Sequence, residues 1–201
     1  MTANQLITNL ASTTLVGIKL GDTSVPANVT TLLQLLNMAK DKIAEDTLLW
    51  LGGESLNMVT DTYEYTLSTI PIQVTDVFDE NDNVRPRNNQ DALGYFQTSP
   101  NKLQFNSITN GMVVKVNYYY YPPDYLIDDT LVLPNTLLSA MQYYIAHKAF
   151  EIYKSENDVF YSAEYMKKYI GAIKDYTSNS DSLDVDTAMN GSSKLWLRGI
   201  K

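Results

Sequence analysis

The sequence predicts an α+β fold. Amino-terminal helices and a carboxy-terminal helical hairpin form a helical core, an antiparallel β-sheet or small β-barrel is inserted between them, and an extended arm ends the chain. Two changes of period carry this prediction. Apolar residues recur at helical spacing through the first fifty residues, switch to alternation from Ser55, and return to helical spacing after Pro134. A third observation is the junction Met112-Val-Val-Lys-Val-Asn-Tyr-Tyr-Tyr-Tyr-Pro-Pro-Asp124, an alternating strand that runs into tyrosines and stops at a proline pair.

The expected segments are residues 1–53 (helical), 54–133 (β), 134–176 (helical hairpin) and 177–201 (arm). Thr2-Ala-Asn-Gln5 has the form of a capping box ahead of Leu6, Ile7 and Leu10, predicting a helix from about Ala3 to Ala11. Residues 12–27 form a connector broken by Gly17, Gly21 and Pro26. Thr30 or Thr31 is expected to cap a stronger helix with Leu32, Leu35, Leu36, Ala39, Ile43 and Ala44 on one face and Lys40, Asp41 and Glu45 off it. Gly52 and Gly53 are expected to stop that helix, and Leu48 to Leu51 to lie under the β part.

Strands are expected over Tyr63 to Leu67, around Ile72, Val74 and Val77, over Tyr95 to Gln97, over Lys102 to Phe105 and over Met112 to Tyr120. Asp79 to Asn83, Ser99 to Asn101 and Ile108 to Gly111 supply the polar turns. Short strands joined by tight turns point to an antiparallel meander or small barrel. Pro134 opens the next helix, whose stripe is Leu138, Met141, Ile145, Ala149 and Ile152. Ser155 to Asp158 breaks it, and Phe160, Ala163, Met166, Ile170 and Ile173 give a second stripe, completing a hairpin. The polar run after Tyr176 is too poor in apolar residues to fold alone. It ends in Lys194-Leu-Trp-Leu-Arg-Gly-Ile-Lys201, where Leu195, Trp196, Leu197, Arg198 and Ile200 read as a docking tip on a flexible arm.

Net charge is −8, from 15 basic and 23 acidic residues, which disfavours tight binding to phosphate backbones. From Glu54 to Leu133 eleven acids face four bases, so the β part carries −7 of that total. The chain has no cysteine, which excludes disulfides and zinc–thiolate sites. The first residues lack the basic and apolar regions of a signal peptide. No apolar run approaches the roughly 20 residues of a membrane span. No membrane association is expected.

Chemistry is sparse. The single histidine, His147, lies one position off the apolar stripe beside Lys148 and Glu151, and reads as a helix-surface or subunit-contact residue with no triad around it. Asp79 to Asn83 resembles the start of a calcium loop, but Val84 stands where the sharp turn needs glycine and Gln90 where a bidentate glutamate is needed. Tyr118, Tyr119, Tyr120 and Tyr121 alternate between faces in a strand, so they read as packing and interface residues. Glu54, Asp61, Glu64, Asp128 and Asp129 could pair for glycoside cleavage, yet no spacing favours it. No catalytic residue, metal site or cofactor is expected. The alternatives to a scaffold are a glycan- or receptor-binding β domain that uses exposed tyrosines, and a carboxylate-based hydrolase.

The order of elements resembles the head-to-tail adaptor (connector or ring) proteins of tailed bacteriophages. The resemblance is carried by the Thr30 helix up to Gly52 and Gly53, Tyr63-Glu-Tyr65, Val74-Thr-Asp-Val77 and the turn Asn81-Asp-Asn83. It continues through Leu103-Gln-Phe105 and Gly111 to Pro123, which lead into Leu133, Pro134 and the Leu138 to Ala149 helix. It implies a structural protein of the virion neck, made in the host cytoplasm and assembled as a homo-oligomeric ring of twelve copies. It also implies a portal protein and other tail or ring proteins as partners, with DNA passing through without specific binding. By position, Leu195, Trp196, Leu197 and Ile200 match the portal-docking arm of similar proteins.

Overall fold

The computed structural model describes residues 1–88, 90–153 and 156–182. Among the described residues four α-helices and six strands form an α+β fold, and the chain divides into two compact units. One unit joins residues 1–39 to the chain from Tyr125 onward; the other is Lys40–Asp124.

In the first unit, α1 (Ala3–Thr13) starts with the expected capping box. Thr2 Oγ1 accepts from the Gln5 N–H at 3.2 Å, and Gln5 Oε1 accepts from the Thr2 N–H at 2.8 Å. The next two N–H groups, which no helix can satisfy internally, reach the segment before Pro134: Ala3 donates to the Asp129 carbonyl and Asn4 to that of Ile127, both at 2.9 Å. Leu6, Ile7 and Leu10 are buried.

Helix α2 (Pro26–Thr47) crosses from the first unit into the second. The expected apolar face is buried in full, from Leu32 to Ala44. Its start differs from expectation. Proline is favoured in the first turn, so the helix begins at Pro26. Thr30 and Thr31 are internal, their hydroxyls donating back to the carbonyls of Pro26 (3.1 Å) and Ala27 (2.9 Å). Its end differs too. Leu48 takes a left-handed conformation, φ 50°, and breaks the helix. Gly52 and Gly53, expected as the stop, lie inside a strand, β1 (Leu51–Asn57). Leu48 to Trp50 are only half-buried and Leu51 is exposed, so this cluster is not the floor of the β part.

The remaining strands are β2 (Glu64–Thr66), β3 (Pro71–Phe78), β4 (Tyr95–Ser99), β5 (Lys102–Phe105) and β6 (Val113–Tyr120). They make two three-stranded antiparallel sheets, β1-β6-β3 and β2-β5-β4. Val74, Val77, Val114, Val116 and Tyr118 from the first sheet meet Tyr95, Leu103 and Phe105 from the second in one buried cluster with Met58 and Leu67. The glycines of β1 have a reason. Gly52 pairs with Tyr118, and a Cβ there would lie 3.0 Å from the Tyr120 ring, so a side chain would push an aromatic out of place.

The hairpin consists of α3 (Asn135–Tyr153) and α4 (Glu156–Ser182), the latter continuing past Tyr176 into what the sequence suggested was arm. Helix α3 buries a face wider than expected: Leu137, Ala140, Met141, Tyr144, Ile145, Ala146, Ala149 and Phe150. Leu138 is half-buried and Ile152 is exposed. The phase of α4 is the larger correction. The stripe expected to be core is largely outside: Phe160, Ala163 and Ile170 are exposed, while Met166 and Ile173 are half-buried. Aromatic residues carry the packing instead. Tyr169 is buried 5.3 Å from Tyr144, and Tyr165 stacks on Phe150 at 5.7 Å with an interplanar angle of 5°.

Candidate functional site

Several groups that could do chemistry are held by structural partners. His147 is half-buried rather than a free surface residue. Its Nδ1 lies 3.0 Å from the Ser162 carbonyl and 2.9 Å from Ser162 Oγ. Nδ1 donates to the carbonyl in one tautomer and accepts from the hydroxyl in the other. In either tautomer the pair links α3 to α4.

Asp79 is spent on its own turn. Oδ1 accepts from the backbone N–H groups of Asn81 and Asn83, both at 2.9 Å, and Asn83 Nδ2 donates to Oδ2 at 3.1 Å. These bonds, Asn83's first, hold the carboxyl below its usual range. Among the described residues no group of three potential ligands is placed to hold a metal ion. Glu54 accepts from the Ser68 N–H at 3.0 Å, and Glu64 accepts from Lys102 at 2.7 Å and from the Thr98 hydroxyl at 3.0 Å. In the other unit, Asp129 Oδ2 accepts from the Leu126 N–H at 2.7 Å.

The tyrosine run alternates as a strand requires. Tyr118 is buried in the β core, with Tyr120 edge-on to it at 6.4 Å. Tyr119 is half-buried and Tyr121 exposed, its hydroxyl donating to Glu45 at 2.9 Å. Beyond the run, Lys40 closes the chain back on α2. Expected off the apolar face, this lysine is buried, because a carbonyl and a carboxylate distant in sequence come to meet it. Its Nζ donates to the Pro122 carbonyl and to Asp124 Oδ1, both at 2.7 Å. Asp41 Oδ1 lies 3.2 Å from the same nitrogen, an ion-pair distance without hydrogen-bond geometry.

Arg85 is a buried cation that the sequence did not single out. Nε donates to the Leu93 carbonyl and Nη2 to that of Ser107, both at 2.8 Å, and the guanidinium lies over the Phe105 ring. Nη1 has no partner among the described residues. Arg85 also lines a cavity of about 70 Å³ with Asp79, Val84, Leu93 and Ser107, and both Val84 and Leu93 are more than half exposed at its rim.

The hairpin offers two further features. An open groove of about 490 Å³ is lined by Asn135, Ser139, Tyr143, Lys168, Gly171 and Asp175. On α4, Phe160 (62% exposed), Ala163, Lys167 and Ile170 (56%) follow a three-four spacing, with Val159 beside them. The expected docking tip, Leu195, Trp196, Leu197, Arg198 and Ile200, lies outside the described residues. Among the described residues no helix is long and apolar enough to cross a membrane.

These surfaces suit contact between proteins. The family model described as SU10 adaptor protein matches residues 1–191, so the chain belongs to that family of phage head-to-tail adaptors, which are structural proteins. No curated protein matches the chain.

Proposed function

We propose that this SU10-family adaptor forms a ring in the neck of a tailed phage, joining the portal to tail components and extending the channel through which DNA leaves. The family match over residues 1–191 carries the reading. The ring is a homo-oligomer of twelve copies, assembled in the host cytoplasm and retained in the virion. Its contacts are heterologous, one patch of each copy on a different patch of the next, closing on rotation.

The charge supports a conduit. Residues 54–133 hold eleven acids against four bases, and a negative wall repels the phosphate backbone and lets it slide. Tyr119 and Tyr121, the two of the run outside the β core, are available to a neighbour. Leu195, Trp196, Leu197, Arg198 and Ile200 anchor the arm on the portal, with large apolar residues supplying most of the binding energy.

Deletion of Lys194 to Lys201 tests the reading. The truncated chain keeps its circular dichroism spectrum and thermal midpoint but no longer retains the portal protein in a pull-down. Retention equal to that of the full chain rejects the docking role.

A further inference from the structure

The polar turn that leads into β6 ends in Asn110-Gly111. Asparagine followed by glycine is the pair most prone to lose its side-chain amide, because glycine has no Cβ to crowd its backbone nitrogen. In that reaction the Gly111 nitrogen attacks Asn110 Cγ and gives up its proton to water. The Cγ–Nδ2 bond breaks, ammonia leaves with a proton from water, and a cyclic succinimide remains. Water then opens the ring to aspartate or to isoaspartate, whose backbone runs through the side-chain carbons and is one atom longer. Nothing but water is consumed.

The fold opposes the first step. The Met112 N–H donates to the Thr109 carbonyl at 3.1 Å, so residues 109–112 form a β-turn. Gly111 has φ 80° and Asn110 has no positive φ, the pattern of a type II turn. In such a turn ψ at the first central residue is about +120°. That rotation carries the Gly111 nitrogen away from the Asn110 side chain, and ring closure needs the two on the same side. The nitrogen is committed as well. Its N–H donates to the Met58 carbonyl at 2.9 Å, while the Met58 N–H donates to the Met112 carbonyl at 2.8 Å. Gly111 and Met112 together oppose Met58, a bulge led by a left-handed glycine. Met58 is fully buried in the β core, so its end of the β1–β6 ladder is anchored. Asn110 Oδ1 accepts from the Thr60 N–H at 3.2 Å. That bond polarises the amide carbonyl and does not shield its carbon, so the protection rests on the nitrogen.

We propose that Asn110-Gly111 is a deamidation site that the bulged turn holds shut, with its reaction gated by opening of the Met58 end of the β1–β6 ladder. Isoaspartate formed during an opening adds a backbone atom between Thr109 and Gly111. The Gly111 N–H is then displaced from the Met58 carbonyl and the turn does not re-form. A transient opening becomes a permanent chemical change in the β unit. The inference stands apart from the ring reading and survives its failure.

Aging of the full-length chain in mildly alkaline buffer tests it. Asn190→Gln is introduced first, because Asn190-Gly191 is the other such pair in the chain. Peptide mapping by mass spectrometry and isoaspartate-specific methylation give the rate at Asn110. In the folded chain it is expected to be slower than in a synthetic peptide of residues 106–115 in the same buffer, on the order of tenfold or more. In unfolding concentrations of urea the chain is expected to reach the rate of the peptide in the same urea. Equal rates in the folded chain and the peptide overturn the proposal, as does protection that persists in urea. Chains aged in urea and refolded report on the permanent change. Those with isoaspartate at 110 are expected to melt below the Asn110→Asp variant, whose carboxylate still accepts from Thr60. A shared thermal midpoint overturns the claim that the turn does not re-form.

Discussion

The β unit and the helical hairpin spend their large apolar residues in opposite ways. In the β unit, Tyr95, Leu103, Phe105 and Tyr118 turn inward to one cluster shared by two sheets. Most of its exposed apolar residues, Ile70, Val84 and Leu93 among them, lie outside the strands, and Tyr121 at the end of the run is tied by a hydrogen bond to Glu45. In the hairpin, three tyrosines of α4 at four-residue spacing, Tyr161, Tyr165 and Tyr169, lie against Phe150 and Tyr144 of α3. That aromatic seam fills the space between the helices and leaves Phe160 and Ile170 over. In one unit most of the exposed apolar residues are scattered over connecting segments; in the other a helix holds a row of them in reserve. For a member of an adaptor family, the reserve is where a partner is expected.

Matched truncations break or sharpen this contrast. Phe105 is fully buried, with Tyr65 and Tyr95 against its ring and Arg85 above it, so Phe105→Ala should cost about 3–5 kcal/mol in urea unfolding. Phe160→Ser should fall within about 0.5 kcal/mol of the parent, as for other exposed positions. A loss above about 2 kcal/mol at Phe160 would make the stripe part of the chain's own core and end the contrast.

A smaller effect is expected at Lys40, the polar counterpart of the buried aromatics. Removing its ammonium leaves the Pro122 carbonyl without its donor and Asp124 without its cation. Lys40→Ala should cost roughly 2–3 kcal/mol, and Lys40→Met less, because its unbranched stem keeps most of the packing. Denaturant midpoints at constant m-value check both. Parental stability in Lys40→Met beside a full loss in Lys40→Ala would place the stabilisation in the stem and remove the clasp from the account.

The same contrast marks what could be read from the sequence. Signals local to a few residues were legible: the Thr2 capping box, the buried face of α2 from Leu32 to Ala44, and the alternation of β6. Signals that depend on a distant partner were not. Gly52 and Gly53 look like a helix stop until Tyr118 and Asn117 are known to lie opposite them. Lys40 looks like a surface cation until the chain returns at Pro122. The aliphatic stripe of α4 has a sound helical period, but period gives no sign of which stripe faces inward. The tyrosines at 161, 165 and 169 were the competing stripe, and aromatic area outweighed aliphatic spacing. Of the candidate site, the tyrosine alternation was legible. Arg85 was not, since its carbonyl partners belong to Leu93 and Ser107.

The smallest expected effect lies at the turn beside the Arg85 cavity, and its sign can be worked out. Asp79 accepts from the Asn83 side chain, then from the Asn83 and Asn81 backbone N–H groups, and these bonds favour its charged form. Its folded pKa therefore sits below the unfolded value of about 3.9. A group lowered in this way stabilises the fold above the unfolded value, and the contribution fades as pH falls through the folded one. A carboxyl-detected NMR titration should show the Asp79 midpoint below that of the unfolded chain. Asn83→Ala removes the side-chain donor but keeps the backbone N–H groups, so the midpoint should rise part of the way back. An Asp79 midpoint that does not move in Asn83→Ala would mean that the side chain does not hold the turn. The Val84 rim next to it would then lose the order that the turn imposes.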